Sequence, residues 1–149
     1  GAMWYTRAMQ ANLFFASTLS GSIPDGLACL PPLLWKASRT DLRIWALENE
    51  HRPQRDTKLY HAPFFNLYAN GRVCMGNVQI NIDKNCNLDS FISEWTNYFF
   101  ASKFSHLLTD TSPVRMNIVR LWQNLIGTGK PFPIKQLKKT DLKISDLPL

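Results

Sequence analysis

Between Tyr60 and Asn77 the chain reads YHAPFFNLYANGRVCMGN, and this stretch decides how the rest is understood. At its centre, Asn70-Gly71 is a tight-turn signal, because both residues tolerate positive φ. A turn there folds the backbone so that Asn66 and Cys74 approach each other. It also puts Cys74 at the mouth of a loop and not inside a strand. A thiol forms some thiolate near neutral pH and needs no strong base to act as a nucleophile. Asparagine offers both an acceptor and an amide donor. A donor beside a thioester carbonyl can stabilise the oxyanion that forms when an amine attacks. Cys74 and Asn66 are therefore the first candidate catalytic residues.

Outward from this stretch the sequence predicts strands. Leu33 to Ala37 follows Pro31-Pro32, which suits a strand start or edge. Leu42 to Leu47 lies between the turn-prone Arg39-Thr40-Asp41 and a polar run from Glu48 to Asp56. Lys58 to Tyr60, Phe64 to Tyr68 and Val73 to Ile82 complete the set, and their close spacing favours an antiparallel meander. Ala8 to Ser17 fits either a short helix or a strand, and Gly21 to Gly26 reads as a loop. After Cys86 the pattern becomes helical. Asp89 can cap a helix carrying Phe91, Ile92, Trp95, Phe99 and, further on, Phe104. A second helix has Ser112 as N-cap, Pro113 at its first position and Gly127 at its end. Its buried face is Ile118, Leu121, Trp122 and Leu125. Meander first and helices last define an α+β domain.

That domain is expected over residues 4–133. Gly1-Ala2-Met3 reads as the scar of a cleaved expression tag, and residues 134–149 as a Lys-rich, extended C-terminal tail with one short helix. With 149 residues, 45% of them apolar and 19% charged, one globular domain is expected. No run approaches the roughly 18 apolar residues of a membrane span, and no signal peptide follows the first residues, so the expected location is cytoplasmic. The three cysteines, Cys29, Cys74 and Cys86, are too few for a disulfide framework and form no CxxC pair, which argues against a zinc ribbon. Cys29 and Cys86 read as structural or incidental. The net charge of +6 comes from 17 basic and 11 acidic residues. It is spread along the chain and not concentrated in an arginine stripe, so a nucleic-acid partner is not expected. A mild basic bias suits an acidic protein partner.

Counted from Asn66, Gly71 stands at plus five, Val73 at plus seven and Cys74 at plus eight. In this frame the chain resembles the ubiquitin-conjugating enzymes, whose His-Pro-Asn motif precedes the catalytic cysteine with the same spacing. His61 and Pro63 are displaced from Asn66 in His-Ala-Pro-Phe-Phe-Asn. The wider stretch resembles prokaryotic conjugating-enzyme-like proteins typified by PRTRC system protein B. This likeness is carried by Leu30 to Leu34, Trp45 to Leu47, Arg52-Pro53, Leu59-Tyr60, Ala62 to Asn66, Gly71 to Asn77 and Phe99 to His106. It implies a conjugating-enzyme-like fold and a thioester of a ubiquitin-like modifier on Cys74, later passed to an amine on a target protein. It also implies an adenylating activating enzyme as partner and, often, a metalloprotease that removes the modifier. No metal or organic cofactor is implied. His106, at the end of the Phe99 to His106 segment, is the third candidate catalytic residue, with His61 as its competitor. Two other functions are open at this point: a non-catalytic module that docks a modifier or its activating enzyme, and a cysteine hydrolase using Cys74 with a histidine.

Overall fold

The first ambiguity resolves through alternation. In the computed structural model, which describes residues 1–20, 22–76 and 80–148, Met9 to Phe15 places Leu13 and Phe15 in the core and exposes the residues between. That period of two makes a strand. It is β2 (Met9–Phe15), preceded by β1 (Ala2–Thr6) and followed by a short helix, α1 (Ser17–Ser20). Next come β3 (Gly26–Leu30), β4 (Leu33–Ala37), β5 (Leu42–Ala46) and β6 (Lys58–His61). Helix α2 (Leu88–Ala101), the two-residue β7 (Lys103–Phe104), α3 (Ile118–Leu125) and β8 (Lys139–Lys143) complete the order. The class is α+β, as expected, with an antiparallel five-stranded sheet ordered β1-β4-β5-β6-β8. A second sheet of three strands, β3-β2-β7, lies alongside it in the fold.

The two sheets share one long ribbon. Thr6 lies opposite Leu33 and Met9 opposite Leu30, so the register continues without a slip from the β1–β4 pair into the β2–β3 pair. The ladder is interrupted only opposite Pro31 and Pro32, which have no N–H to give. The Ala8 N–H, opposite Pro31, donates to Glu50 Oε1 at 3.2 Å. The prolines therefore turn one hairpin into arms of two different sheets.

Helix α2 buries Phe91, Trp95 and Phe99 of its predicted stripe, while Ile92 is half-buried and Phe104 lies past the helix end on β7; α3 buries Ile118, Leu121, Trp122 and Leu125, as predicted. Phe64 lies between them: it is stacked on Trp122 at 5.8 Å and on Phe104 at 5.7 Å, and meets Phe99 edge-on at 5.2 Å. The Trp122 indole N–H donates to the Pro63 carbonyl at 2.9 Å in this buried setting. That bond and the Phe64 stack fasten the segment just before Asn66 to the helical layer. Aromatic packing of this kind adds to the area it buries.

Several local expectations are corrected. The N-cap of α2 is Asn87, whose side chain accepts from the Ser90 N–H; Asp89 falls in the first turn. The second helix starts at Ile118 behind an Asn117 cap. Ser112 is engaged otherwise, accepting from Val114 N–H and donating to Met116 O, while Val114 and Arg115 pair with Leu137 and Gln136. Gly127 does follow the helix end, with φ +73. Phe64 to Tyr68 is not a strand. Ala62 to Phe65 is buried without alternation, and Asn66 at φ +65 turns the chain. Val73 to Ile82 has only an isolated bridge at Val73, with residues 77–79 outside the described set.

The Lys-rich end is not a tail. Lys139–Lys143 alternates exposed and half-buried residues and pairs with β6 as an edge strand. Short 3-10 turns precede and follow it, at Ile134–Gln136 and Ile144–Asp146. Lysines on the solvent side of an edge strand discourage further pairing, and they hid the alternation in the sequence. Leu142, Ile144 and Leu147 cover a separate small core of Leu34, Trp45, Leu47 and Leu59 on that side of the sheet. At the other end, Ala2 and Met3 pair with Ala37 and Lys36 within β1.

Candidate active site

The site grows from a gap in the sheet. β6 pairs only with Trp45 and Ala46 of β5, which leaves the Leu42–Ile44 half of that strand free on the same side. Residues 71–73 occupy this place: Val73 N–H donates to Leu42 O and Ile44 N–H donates to Gly71 O, both at 2.9 Å. The predicted turn follows from these anchors. Gly71 N–H donates to Tyr68 O, Tyr68 N–H donates to Arg72 O, and Asn70 Oδ1 accepts from Arg72 N–H at 3.0 Å. Cys74 N–H then donates to Asn66 O at 2.8 Å, so the two residues are brought together as the sequence predicts. Alternation across this small hairpin turns Leu67 and Val73 into the core. Asn66, Tyr68, Arg72 and Cys74 share the opposite face.

Of the turn residues, only Gly71 uses positive φ, at +86. A Cβ there would stand 2.9 Å from Trp45 Cε2 and 3.0 Å from Ile44 O. Backbone strain and a clash with main chain combine. Gly71→Ala is expected to cost about 2 kcal/mol and to lower the melting temperature by about 5 °C in calorimetry. Cys74 reactivity should fall in parallel, read as alkylation rate, because the hairpin that presents it is displaced.

Asn66 is the joint of the site. It is the one non-glycine residue at positive φ among the described residues, a conformation asparagine tolerates better than most. Its Nδ2 donates to Lys103 O at 3.0 Å. Its Oδ1 accepts from Ser105 N–H at 3.0 Å, Ser105 Oγ at 3.1 Å and His106 N–H at 3.2 Å. Its own N–H donates to His106 O at 2.8 Å. Asn66 thus locks residues 103–106 against the Cys74 hairpin. One of its two amide protons is engaged by the Lys103 carbonyl, so in this arrangement the side chain holds the loop.

Cys74 is half-buried and unbridged. The Tyr68 phenol is raised above its ordinary value, first by hydrogen bonding with Cys74 and by that residue's charge and then by burial, against a lowering pull from Arg72. The Tyr98 phenol on α2 is also raised, first by burial and further by Cys74, with a Ser102 hydrogen bond opposing. The influence of Cys74 on both tyrosines lies outside the expectations from the sequence. The signal was present, since Tyr68 is two residues from Asn66 and must share its face. His106 is exposed, with Nδ1 2.9 Å from Ser105 Oγ. His61 sits on β6 opposite Trp45, its imidazole lowered by burial and by Lys138; it is not part of the Asn66 network. Cys29 lies on β3 with its sulfur 3.6 Å from Gly129 O, and Cys86 precedes α2. Among the described residues, no His, Cys, Asp or Glu group of three could hold a metal ion, and no helix is long and apolar enough to cross a membrane.

An antiparallel sheet backed by helices, with a half-exposed cysteine beside a loop-locking asparagine, is the arrangement of a conjugating-enzyme-like (E2-like) domain. A family model, prokaryotic E2 family D, matches residues 1–140, and the chain belongs to that family. No curated protein and no solved structure matches it.

Proposed function

We propose that this protein accepts a ubiquitin-like modifier as a thioester on Cys74 and passes it to an amine of a target protein. The observation that carries this reading is the hairpin itself, which presents a half-buried Cys74 with Asn66 holding the His106 segment beside it. The modifier's C-terminal carboxylate arrives activated on the adenylating enzyme's own cysteine. Cys74 Sγ attacks that thioester carbonyl, a new C–S bond forms, and the activating enzyme's thiolate leaves. An amine, the side chain of a lysine for example, then attacks the Cys74 thioester and releases Cys74 as thiolate. Asn66 positions the loop, and His106 takes the proton of the amine. No metal or organic cofactor takes part in either step. The family supports this kind of partner in general; the modifier and the activating enzyme are part of the proposal.

The test is direct. The protein, the activating enzyme and modifier from the same gene cluster, and ATP are incubated and run on a gel with and without reductant. The expected result is a reductant-sensitive adduct of one modifier per chain. Modifier binding without any adduct would mean a docking module, and cleavage of a preformed conjugate without ATP would mean a hydrolase.

A further inference from the structure

We propose that Ser105 fixes the imidazole of His106 as the Nδ1–H tautomer and so leaves Nε2 as the free base facing solvent at the Cys74 site. For its chemical consequence this rests on the transfer reading above; the tautomer itself does not. The argument follows protons along a chain of hydrogen bonds. Asn66 Nδ2 donates to Lys103 O at 3.0 Å, and the other end of the amide meets two backbone N–H groups, those of Ser105 and His106. Only an oxygen accepts from those, so the orientation of the amide is decided. An amide oxygen brings no proton to a bond. The 3.1 Å contact between Ser105 Oγ and Asn66 Oδ1 therefore uses the hydroxyl's own proton, and a hydroxyl has one. The 2.9 Å contact between Ser105 Oγ and His106 Nδ1 must then be supplied by an imidazole N–H. In a neutral imidazole this places the lone pair on Nε2.

Position gives the tautomer its use. Asn66 donates its N–H to His106 O and accepts the Cys74 N–H on its own carbonyl, each at 2.8 Å. The His106 and Cys74 backbones are thus the direct main-chain hydrogen-bond neighbours of Asn66, one on its N–H and the other on its C=O. In the transfer step the amine nitrogen bonds to the carbonyl carbon, and the C–S bond breaks with its electron pair going to Cys74 Sγ. One N–H proton passes to His106 Nε2, giving an imidazolium that later returns it to water. Ser105 touches neither the modifier nor the amine; it is a positioning residue.

The tautomer is read first, by long-range proton–nitrogen NMR of the intact protein near neutral pH. Wild type is expected to show the Nδ1–H pattern for His106, Ser105→Ala to lose it and Ser105→Thr to keep it. Nε2–H in wild type, or no change in Ser105→Ala, overturns the assignment. Discharge of the preformed thioester to free lysine is read second. Ser105→Ala is expected to discharge about tenfold more slowly with loading of Cys74 unchanged, and Ser105→Thr to restore the rate. Equal discharge rates in wild type and Ser105→Ala overturn the positioning role. A wild type with the Nδ1–H tautomer that never loads overturns the transfer reading, and the use of Nε2 with it, while the tautomer stands.

Discussion

Cys74→Ser is expected to lose the reductant-sensitive adduct completely and to show, after long incubation, an adduct that survives thiol. The serine hydroxyl carries no appreciable anion near neutral pH, whereas a thiol does, so the loading rate should fall by roughly 10³-fold. What does form is an oxygen ester, which thiols do not readily exchange. Fold is a poor explanation for the loss. Cys74 is half-buried, and its side-chain partner Tyr68 is itself 44% exposed, so stability should stay within about 0.5 kcal/mol of wild type. Intact-protein mass spectrometry with and without reductant gives the readout. A reductant-sensitive adduct persisting in Cys74→Ser would put the thioester on Cys29 or Cys86 and remove the basis for the proposed site.

Asn66→Ala should damage both stability and transfer. The substitution removes the acceptor shared by Ser105 N–H, Ser105 Oγ and His106 N–H and the donor to Lys103 O. It also leaves an alanine at φ +65, which costs about 1 kcal/mol by itself. With unsatisfied main-chain groups added, the loss should total about 3 kcal/mol. That corresponds to roughly 9 °C in melting temperature. Discharge to lysine should slow by about 10²-fold, because the segment carrying Ser105 and His106 is no longer held to the hairpin. Asn66→Gly separates the two causes. It relieves the backbone and should recover about 1 kcal/mol relative to alanine, with no recovery of transfer. An alanine variant that melts with wild type would contradict the role of Asn66 as the joint of the site.

The contrast between what the sequence disclosed and what it concealed has physical causes. Strands β4 and β5 were legible because apolar residues run between strong punctuation, Pro31-Pro32 on one side and Arg39 to Asp41 on the other. The buried faces of both helices were legible from their 3.6-residue spacing. Their starts were not, because Asn87 and Asn117 outcompeted Asp89 and Ser112 for the capping role. β8 is concealed by its lysines, which mark a solvent edge but give the segment the composition of a solvated tail. At the site, the Asn70-Gly71 turn was enough to bring Asn66 and Cys74 together, since both lie within one hairpin. The part played by the Asn66 side chain was not legible. Its partners Lys103, Ser105 and His106 lie 37 to 40 residues away, and nothing local announces a contact that tertiary structure creates.

The shared register of β1–β4 and β2–β3 has a consequence for how the chain folds. Because Leu13 faces Gly26 and Ala2 faces Ala37 in one unbroken alignment, the ribbon can zip from its closed end, each added pair closing only a slightly longer loop. Pairings of this kind form quickly compared with those between distant segments. The β2–β7 and β6–β8 contacts, which join residues far apart in the chain, should be later events. The prolines that divide the sheets would then meet a ribbon already in register. A slip by one residue would invert the inward faces of both sheets together, so a single hairpin sets the alignment of the whole β framework against which the Cys74 loop is finally placed.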